Sequence, residues 1–380
     1  MRVPRILSFY VLGEILLYAG LGLLVAGSIL VTQNLLQRLD DLAAVGIGAA
    51  DYLTILGCVV GMLSGHALPI AFLFGIMVAV GRISADSEVM AMRSLGISFG
   101  QFVVPALLLA LLASATTFVL LAEGDPLARR TLRAVFADIA SRGGVIEPGN
   151  FNRLDRKEAR LLFVEDRDEE NRLSGVLISD RTDPTQPFTV VAERGRFYFD
   201  SETATAHLQL ESGDVHFEPE ESELDEYRRI AFESFDYAFD MSGILGAGPS
   251  QILPLEMSTK RILQVIDHFD QNDGRPPDEV RVKSKESYEI QLHRRLALPL
   301  SPLLFALVGV PLGLRRARGA RSWGVLISVA LVFVYYLLLS FGSFLADQGA
   351  LPVSLAIWLP NFVFAVIAVP LLYRARRAEV

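Results

Sequence analysis

The sequence predicts a membrane α + β protein, with six transmembrane helices in a 3+3 arrangement and an inserted extracytoplasmic β-jelly-roll domain. Three observations carry this prediction. Six apolar runs are each long enough to cross a hydrocarbon core, which takes about 20 helical residues. A polar stretch of domain size separates the third run from the fourth. Within that stretch the apolar spacing changes from helical to short alternating or near-continuous runs. A composition that is 52% hydrophobic and a mean hydropathy of +0.40 exceed what a soluble chain of 380 residues carries.

The runs cover 8–33, 52–81, 99–122, 296–314, 323–346 and 353–373. Their flanks orient them. Arg2, Arg5, Arg82, Arg93, Arg315, Arg316, Arg318, Arg321, Arg374, Arg376 and Arg377 fall on one side, whereas the short loops opposite carry mainly Asp40, Asp41, Asp51 and Asp347. Arginine excess marks the cytoplasmic face, so both termini are expected in the cytoplasm and the polar insert outside. The first run is longer than a signal-peptide core and lacks a small-residue cleavage site, so it reads as a retained anchor. The expected domains are 1–126 (helices one to three), 127–289 (the β domain with flanking helices) and 290–380 (helices four to six).

Between spans two and three, 84–98 reads as a cytoplasmic helix, roughly 18 Å long by helical rise, that forms a compact lever. Ser84 suits the N-cap, Asp86 and Glu88 place negative charge on the first turn, and Gly96 suits the C-terminal stop. Ala85, Val89 and Met92 share one face, with Leu95 at its far end. An interfacial loop resting on headgroups fits the same residues equally.

Glu14 lies about two turns inside span one, close enough to the cytoplasmic interface to read as a structural group before a functional one. Beyond Gln33 the helix turns polar, and Arg38 reads as an anionic-headgroup contact or as an ordinary interfacial arginine. In span two Pro69 is expected to kink the helix and free a carbonyl for His66 or a neighbouring helix to satisfy. Cys58 is the only cysteine, which excludes an intrachain disulfide. After span three, 127–140 is amphipathic and continues the span outward.

From 145 onward LLFVED, GVLISD, FTVVAE, GRFYFD, AHLQL, DVHFE and RRIAFESFDYAFD predict about seven to ten strands in a sandwich or jelly roll. Phe235, Tyr237 and Phe239 alternate onto one face, as a β core or a lipid-lined groove requires. The acidic run 218–226 reads as a solvated loop. A helix follows over 257–272, capped by Ser258 or Thr259, with Ile262, Leu263, Val265, Ile266 and Phe269 on its buried side. A second, over 278–295, runs into span four and sets His293, Arg294 and Arg295 at the outer interface. These suit a phosphorylated lipid or simple snorkelling. The insert over 123–290 carries a net −14 and the rest of the chain +6, so the acidity behind the overall −8 lies wholly in the insert, which argues against nucleic acid as a partner.

No phosphate loop, HExxH, GxSxG or metal-spaced cysteine and histidine cluster occurs, so neither catalytic nor metal residues are assigned. This layout suits a transporter subunit driven by a separate ATPase. A receptor or scaffold shares it, but the chain has no cytoplasmic signalling domain.

The chain resembles the lipopolysaccharide-export permeases LptF and LptG over nearly its whole length. The matching stretches are PIAFLFGIMVAVGRISADSEVMAMRSLGIS at 69–98, PGNF at the start of the β domain, VAERG at 191–195, LESGDVH at 210–216 and YRRIAFESFDYAF at 227–239. MSTKRILQVI at 257–266, EIQLHRRLALPLSPL at 289–303, GVPLG at 309–313 and WLPN at 358–361 follow in order. The resemblance implies a bacterial inner-membrane ABC transporter in which an LptF/LptG pair sits on a dimer of the ATPase LptB. Lipopolysaccharide would pass through the jelly roll to those of LptC and LptA. It implies that 84–98 is the coupling helix, with Asp86, Glu88 and Arg93 in polar contacts and Val89 and Met92 filling the ATPase groove. Phe235, Tyr237 and Phe239 would line an acyl-chain path, and Arg38, Arg294 and Arg295 would meet phosphate. ATP and Mg would be bound by the partner ATPase, leaving no cofactor in this chain. The alternatives are a permease of the same mechanical kind for another lipid or lipoprotein, and an envelope scaffold or sensor.

Overall fold

The fold is that of a computed structural model, which describes residues 5–43, 49–141, 146–154, 159–168, 170, 172–183, 186–200, 203, 205–217, 228–240, 252–272, 274–275, 277, 280, 284–314 and 320–377. Side chains are described for these residues except at 5, 34–43, 153 and 320–323. The acidic run 218–226 and the arginines at 315–318 lie outside them.

Helices α1 (Arg5–Ala43), α2 (Ala49–Ala85), α3 (Glu88–Ser94), α4 (Phe99–Val119) and α5 (Asp125–Ser141) precede the β domain. After it come α6 (Thr259–Gln271), α7 (Lys285–Ala297), α8 (Ser301–Gly313), α9 (Ala320–Asp347) and α10 (Val353–Arg377). Six helices are long and apolar enough to cross a membrane: Ile6–Gln33, Ala49–Ala85, Phe99–Ser141, Lys285–Gly313, Gly324–Asp347 and Val353–Arg377. They coincide with the six predicted runs. The third continues outward through a π-helical turn, Leu120–Gly124, into α5, and the fourth joins α7 to α8 through a 3₁₀ turn, Leu298–Leu300.

Where these helices break, neighbours supply the hydrogen bonds that lipid cannot. Asn361 Nδ2 donates to the Ala297 carbonyl at the α7–α8 junction (2.9 Å), and its Oδ1 accepts from Tyr335 Oη (2.8 Å). Near Pro69, Tyr336 Oη donates to the carbonyl of His66 (3.0 Å). Helix α2 is the hub, since α1, α4, α5, α8 and α9 all pack on it. Its small residues permit close approach. A Cβ on Gly75 would come within 2.7 Å of the Ala19 backbone nitrogen, so only glycine lets α1 lie this near.

The β domain is one six-stranded antiparallel sheet in chain order: β1 (Phe151–Arg153), β2 (Arg160–Arg167), β3 (Arg172–Asp180), β4 (Phe188–Asp200), β5 (Thr205–Phe217) and β6 (Arg228–Asp240). The expected seven to ten strands reduce to six among the described residues. FTVVAE with GRFYFD, and AHLQL with DVHFE, are single 13-residue strands rather than pairs. Gly195 and Gly213 lie inside these continuous strands, beside a bend. From β2 to β6, Val164↔Val176 and Asp166↔Ser174, Ala192↔Gly213 and Arg194↔Glu211 keep a constant register around one unpaired row: Glu165, Gly175, Glu193, Ser212 and Glu233. Gly175 and Ser212 in that row have φ of 60° and 55°.

The sheet folds over along this row. Tyr237 is paired through Leu208 to Phe197, nine residues along β4 from Phe188, or about 30 Å away in a flat sheet. Yet the Tyr237 and Phe188 rings are 6.3 Å apart, and Tyr237 Oη donates to Asp180 Oδ2 across the roll at 2.6 Å. Leu162, Val164, Val176, Ile178, Val190, Leu208 and Leu210 fill the space between the two walls. The same core continues through Leu132, Phe136 and Ile139 of α5 to Ile55, Cys58, Val59 and Met62 of α2, so the roll is fastened to the spans.

Helix α6 is capped by Ser258, whose hydroxyl accepts from Arg261 N, and it buries Ile262, Val265 and Phe269, while Leu263 is exposed. The second helix begins at Lys285 rather than at 278, and 278, 279 and 281–283 lie outside the described residues.

Burial alone would raise the pKa of Asp180, but donors from Thr182 and Tyr237 and the Arg160 guanidinium hold it below the ordinary carboxylate range. A depressed pKa stabilises the fold above the unfolded value near 4 and is lost as pH falls through the folded value. Asp180→Asn is therefore expected to destabilise the full chain in detergent by about 1–3 kcal/mol at pH 7. The gap from wild type should close below about pH 4, read by thermal unfolding at each pH.

Candidate functional site

Helices α1 and α9 pack on α2 without extensive packing on each other, and a lateral cleft of about 710 Å³ lies between them. Leu30 of α1, Leu63, Ile70 and Phe74 of α2, and Val329, Val332 and Phe333 of α9 make its walls apolar. Its polar groups are few. His66 lies within the wall, and its Nδ1 is buried without a hydrogen-bond partner among the described residues. Ser328 and Tyr336 contribute hydroxyls, and Arg129 of α5 stands at the rim, paired with Asp125 at 2.8 Å. Such a cleft takes an amphiphile whose chains exchange apolar walls for lipid while an oxygen of its headgroup meets His66 or Arg129. Among the described residues, no group of three or more His, Cys, Asp or Glu side chains is arranged to hold a metal ion.

Past the last turn of α2 lies α3. The expected helix over 84–98 is shorter and starts later. Ser84 and Ala85 belong to α2, where Ser84 Oγ donates to the Leu314 carbonyl (3.2 Å), and Ser87, at φ 59°, is the break. Asp86 thus precedes the helix rather than lying in its first turn, 4.0 Å from Arg82. The stop at Gly96 is as read from the sequence. Its φ is 82°, Gly96 N donates to the Arg93 carbonyl and Ile97 N to that of Met92, a Schellman closure.

Val89 and Met92 are half-buried and turn inward, against the cluster that holds Ile83, Phe99 and Phe102. The apolar residues that α3 and its stop present to solvent are Met90 and Leu95, the latter 81% exposed. Arg93 is half-buried. Glu88 accepts from Tyr10 Oη at 2.7 Å, and Tyr10 accepts from Arg82, which also pairs with Glu14 at 2.7 Å. Glu14, read from the sequence as close to the cytoplasmic interface, is thus paired with Arg82 of the neighbouring α2.

Of the residues expected at the headgroup and acyl chains, Arg294, Arg295, Phe235, Tyr237 and Phe239 do not line this cleft. Arg295 is 2% exposed and clamps α7 to the turn before α6, donating to the Leu255 carbonyl (3.2 Å) and to Thr259 Oγ1 (3.3 Å). Arg294 reaches Ser343 of α9 at 2.7 Å, and the Arg38 side chain lies outside the described residues. Tyr237 and Phe239 are buried within the roll, and Phe235 packs beside Phe232 at its margin. The sequence analysis named Leu95 but not Tyr10, Arg129 or Met90. The one available signal was the one-turn spacing of Tyr10 and Glu14 on a helix face.

Membrane-crossing helices divided by a rolled β domain, with a lateral apolar cleft and a short helix outside the spans, are the layout of a membrane transport subunit. The chain belongs to the lipopolysaccharide export system permease LptF/LptG family, whose family model matches residues 9–374. It is 22% identical over 342 residues to the lipopolysaccharide export system permease protein LptF of Escherichia coli strain K12, covering 89% of this chain and 87% of that protein. The LptF proteins of E. coli O157:H7 and Shigella flexneri match to the same extent.

Removing Arg295 leaves a cavity and an unpaired Leu255 carbonyl. Arg295→Ala is expected to destabilise the protein by about 3 kcal/mol while leaving lipid affinity of the folded fraction unchanged. Thermal unfolding with and without lipopolysaccharide separates the two effects.

Proposed function

We propose that this chain is the non-catalytic permease subunit of an ABC exporter that draws lipopolysaccharide from the bacterial inner membrane and delivers it to a periplasmic bridge. The observation that carries this reading is the lateral cleft between α1 and α9, apolar within and cationic at the rim, joined by a continuous core to the rolled sheet. Acyl chains enter from the bilayer, the headgroup stays near Arg129 and His66, and the cargo leaves toward the β domain.

In this reading both termini and α3 are cytoplasmic, and the β domain is periplasmic. An LptB-like ATPase dimer binds ATP and Mg and docks on α3. Met90 and Leu95 contribute apolar contact there, with Glu88, Asp86 and Arg93 as the polar groups at the same end. A paralogous LptF/LptG permease completes the transmembrane pair, and LptC-like and LptA-like jelly rolls continue the path from the open edges of the sheet.

The test is reconstitution with the candidate ATPase and permease partner in vesicles containing lipopolysaccharide. Leu95→Asp is expected to weaken ATPase co-purification about tenfold, because a carboxylate desolvated in an apolar contact costs more than 1.4 kcal/mol. Val332→Trp, which fills the cleft, is expected to keep co-purification and lose the stimulation of hydrolysis by lipopolysaccharide. Unchanged co-purification and stimulation in both folded variants would overturn the reading. Stimulation by a phospholipid alone would instead favour a permease for another lipid.

A further inference from the structure

One guanidinium joins three elements at the α3 end of the bundle. A terminal nitrogen of Arg82, in the last turn of α2, donates to Glu14 Oε1 at 2.7 Å and to Tyr10 Oη at 2.9 Å. Tyr10 Oη in turn donates to Glu88 Oε2, at the first residue of α3, at 2.7 Å. Tyr10 and Glu14 are one turn apart on α1, so α2 and α3 both bond to the same face of that helix.

This bridge crosses the break at Ser87. With seven residues, none of them buried, α3 is weakly held by packing, and the half-buried Val89 and Met92 are its inward contacts. Charge-assisted hydrogen bonds in a partly buried setting then set its direction. The Arg82 and Glu14 side chains are 26% and 17% exposed, well shielded from screening by salt. Both partners also keep capacity in reserve, because Arg82 Nε and Glu14 Oε2 are buried without hydrogen-bond partners among the described residues.

Farther along α1, Ala19 lies against Gly75 too closely for even a methyl group to intervene. That contact is about 8 Å from Glu14 along the helix, and Leu30, in the cleft wall, is about 17 Å beyond it. Gly22, one turn further on, meets Phe74 and Ala71 of α2 almost as closely, so α1 is held on α2 over the single turn from Ala19 to Gly22, between the arm that carries Glu14 and the arm that carries Leu30.

We infer that Arg82 is a positioning residue which, through Tyr10 and Glu14, makes α1 a lever pivoted at Ala19 and Gly75, so that displacement of α3 moves the α1 wall of the lipid cleft. The inference rests on the exporter reading above, and it assigns the transmitted stroke to α1.

The experiment uses the full chain with its ATPase and permease partner in vesicles, and measures lipopolysaccharide released to a soluble jelly-roll acceptor per ATP hydrolysed. Arg82→Gln and Tyr10→Phe are expected to assemble and hydrolyse ATP normally while releasing about tenfold less lipid per ATP, the size expected for a broken coupling contact. The charge-reversed pair Glu14→Arg with Arg82→Glu is expected to restore most of that yield. Wild-type yield in Arg82→Gln and Tyr10→Phe would overturn the inference while leaving the exporter reading intact. Absence of release by the wild-type complex would overturn that reading and this inference with it. If Arg82→Gln fails to fold, the charge-reversed pair decides: a folded pair with near-normal yield supports the lever, and a folded pair with low yield refutes it.

Discussion

Lipid offers a backbone no hydrogen-bond partner, and that constraint shapes this molecule more than any other. It makes each crossing segment helical, and it obliges every interruption to carry its own donor or acceptor. Asn361 serves the α7–α8 junction, and Tyr336 serves the turn of α2 near Pro69. It also confines irregular backbone to the ends of the spans, which is where α3 and the β domain are attached. Charge obeys the same constraint: Glu14 enters the first span only as far as Arg82 can follow it.

Helix α2 gathers the consequences. Its outer end shares a core with the rolled sheet, its middle supplies one wall of the cleft, and its last turn holds Arg82 beside the break that begins α3. One continuous helix thus runs from the break before α3 to the core of the β domain. The roll adds a second device. Its crease is a row of exposed and half-buried residues with positive φ at Gly175 and Ser212, so the strands bend without breaking and the buried Tyr237–Asp180 bond closes the walls.

Periodicity and capping in the sequence carried most of this architecture. The six spans were legible because apolar runs of about 20 residues have few other uses. Ser258 and Gly96 were legible because cap and stop chemistry is local. The strands of β4 and β5 were miscounted because Gly195 and Ser212-Gly213 look the same in sequence whether a strand ends or bends there. The start of α3 was misplaced because Ser84 is an adequate cap in isolation, while its contact with the Leu314 carbonyl draws it into α2. The cleft left no sequence signal at all, since Leu30, Phe74 and Val332 are ordinary apolar residues until α1 and α9 are set apart by α2. Arg294 and Arg295 read in sequence as a basic pair at a span boundary, and their contacts with Ser343, Leu255 and Thr259 had no local signal.

The most direct measurement is the separation of the two cleft walls as the ATPase cycles. Spin labels at Leu30 and Val329, in a Cys58→Ala background assembled with the ATPase, report it by pulsed electron resonance. A cleft worked by α3 predicts distance distributions that differ between the nucleotide-free and ATP-bound complexes, shorter in the ATP-bound state as the walls close. Identical distributions in a complex that hydrolyses ATP would contradict it.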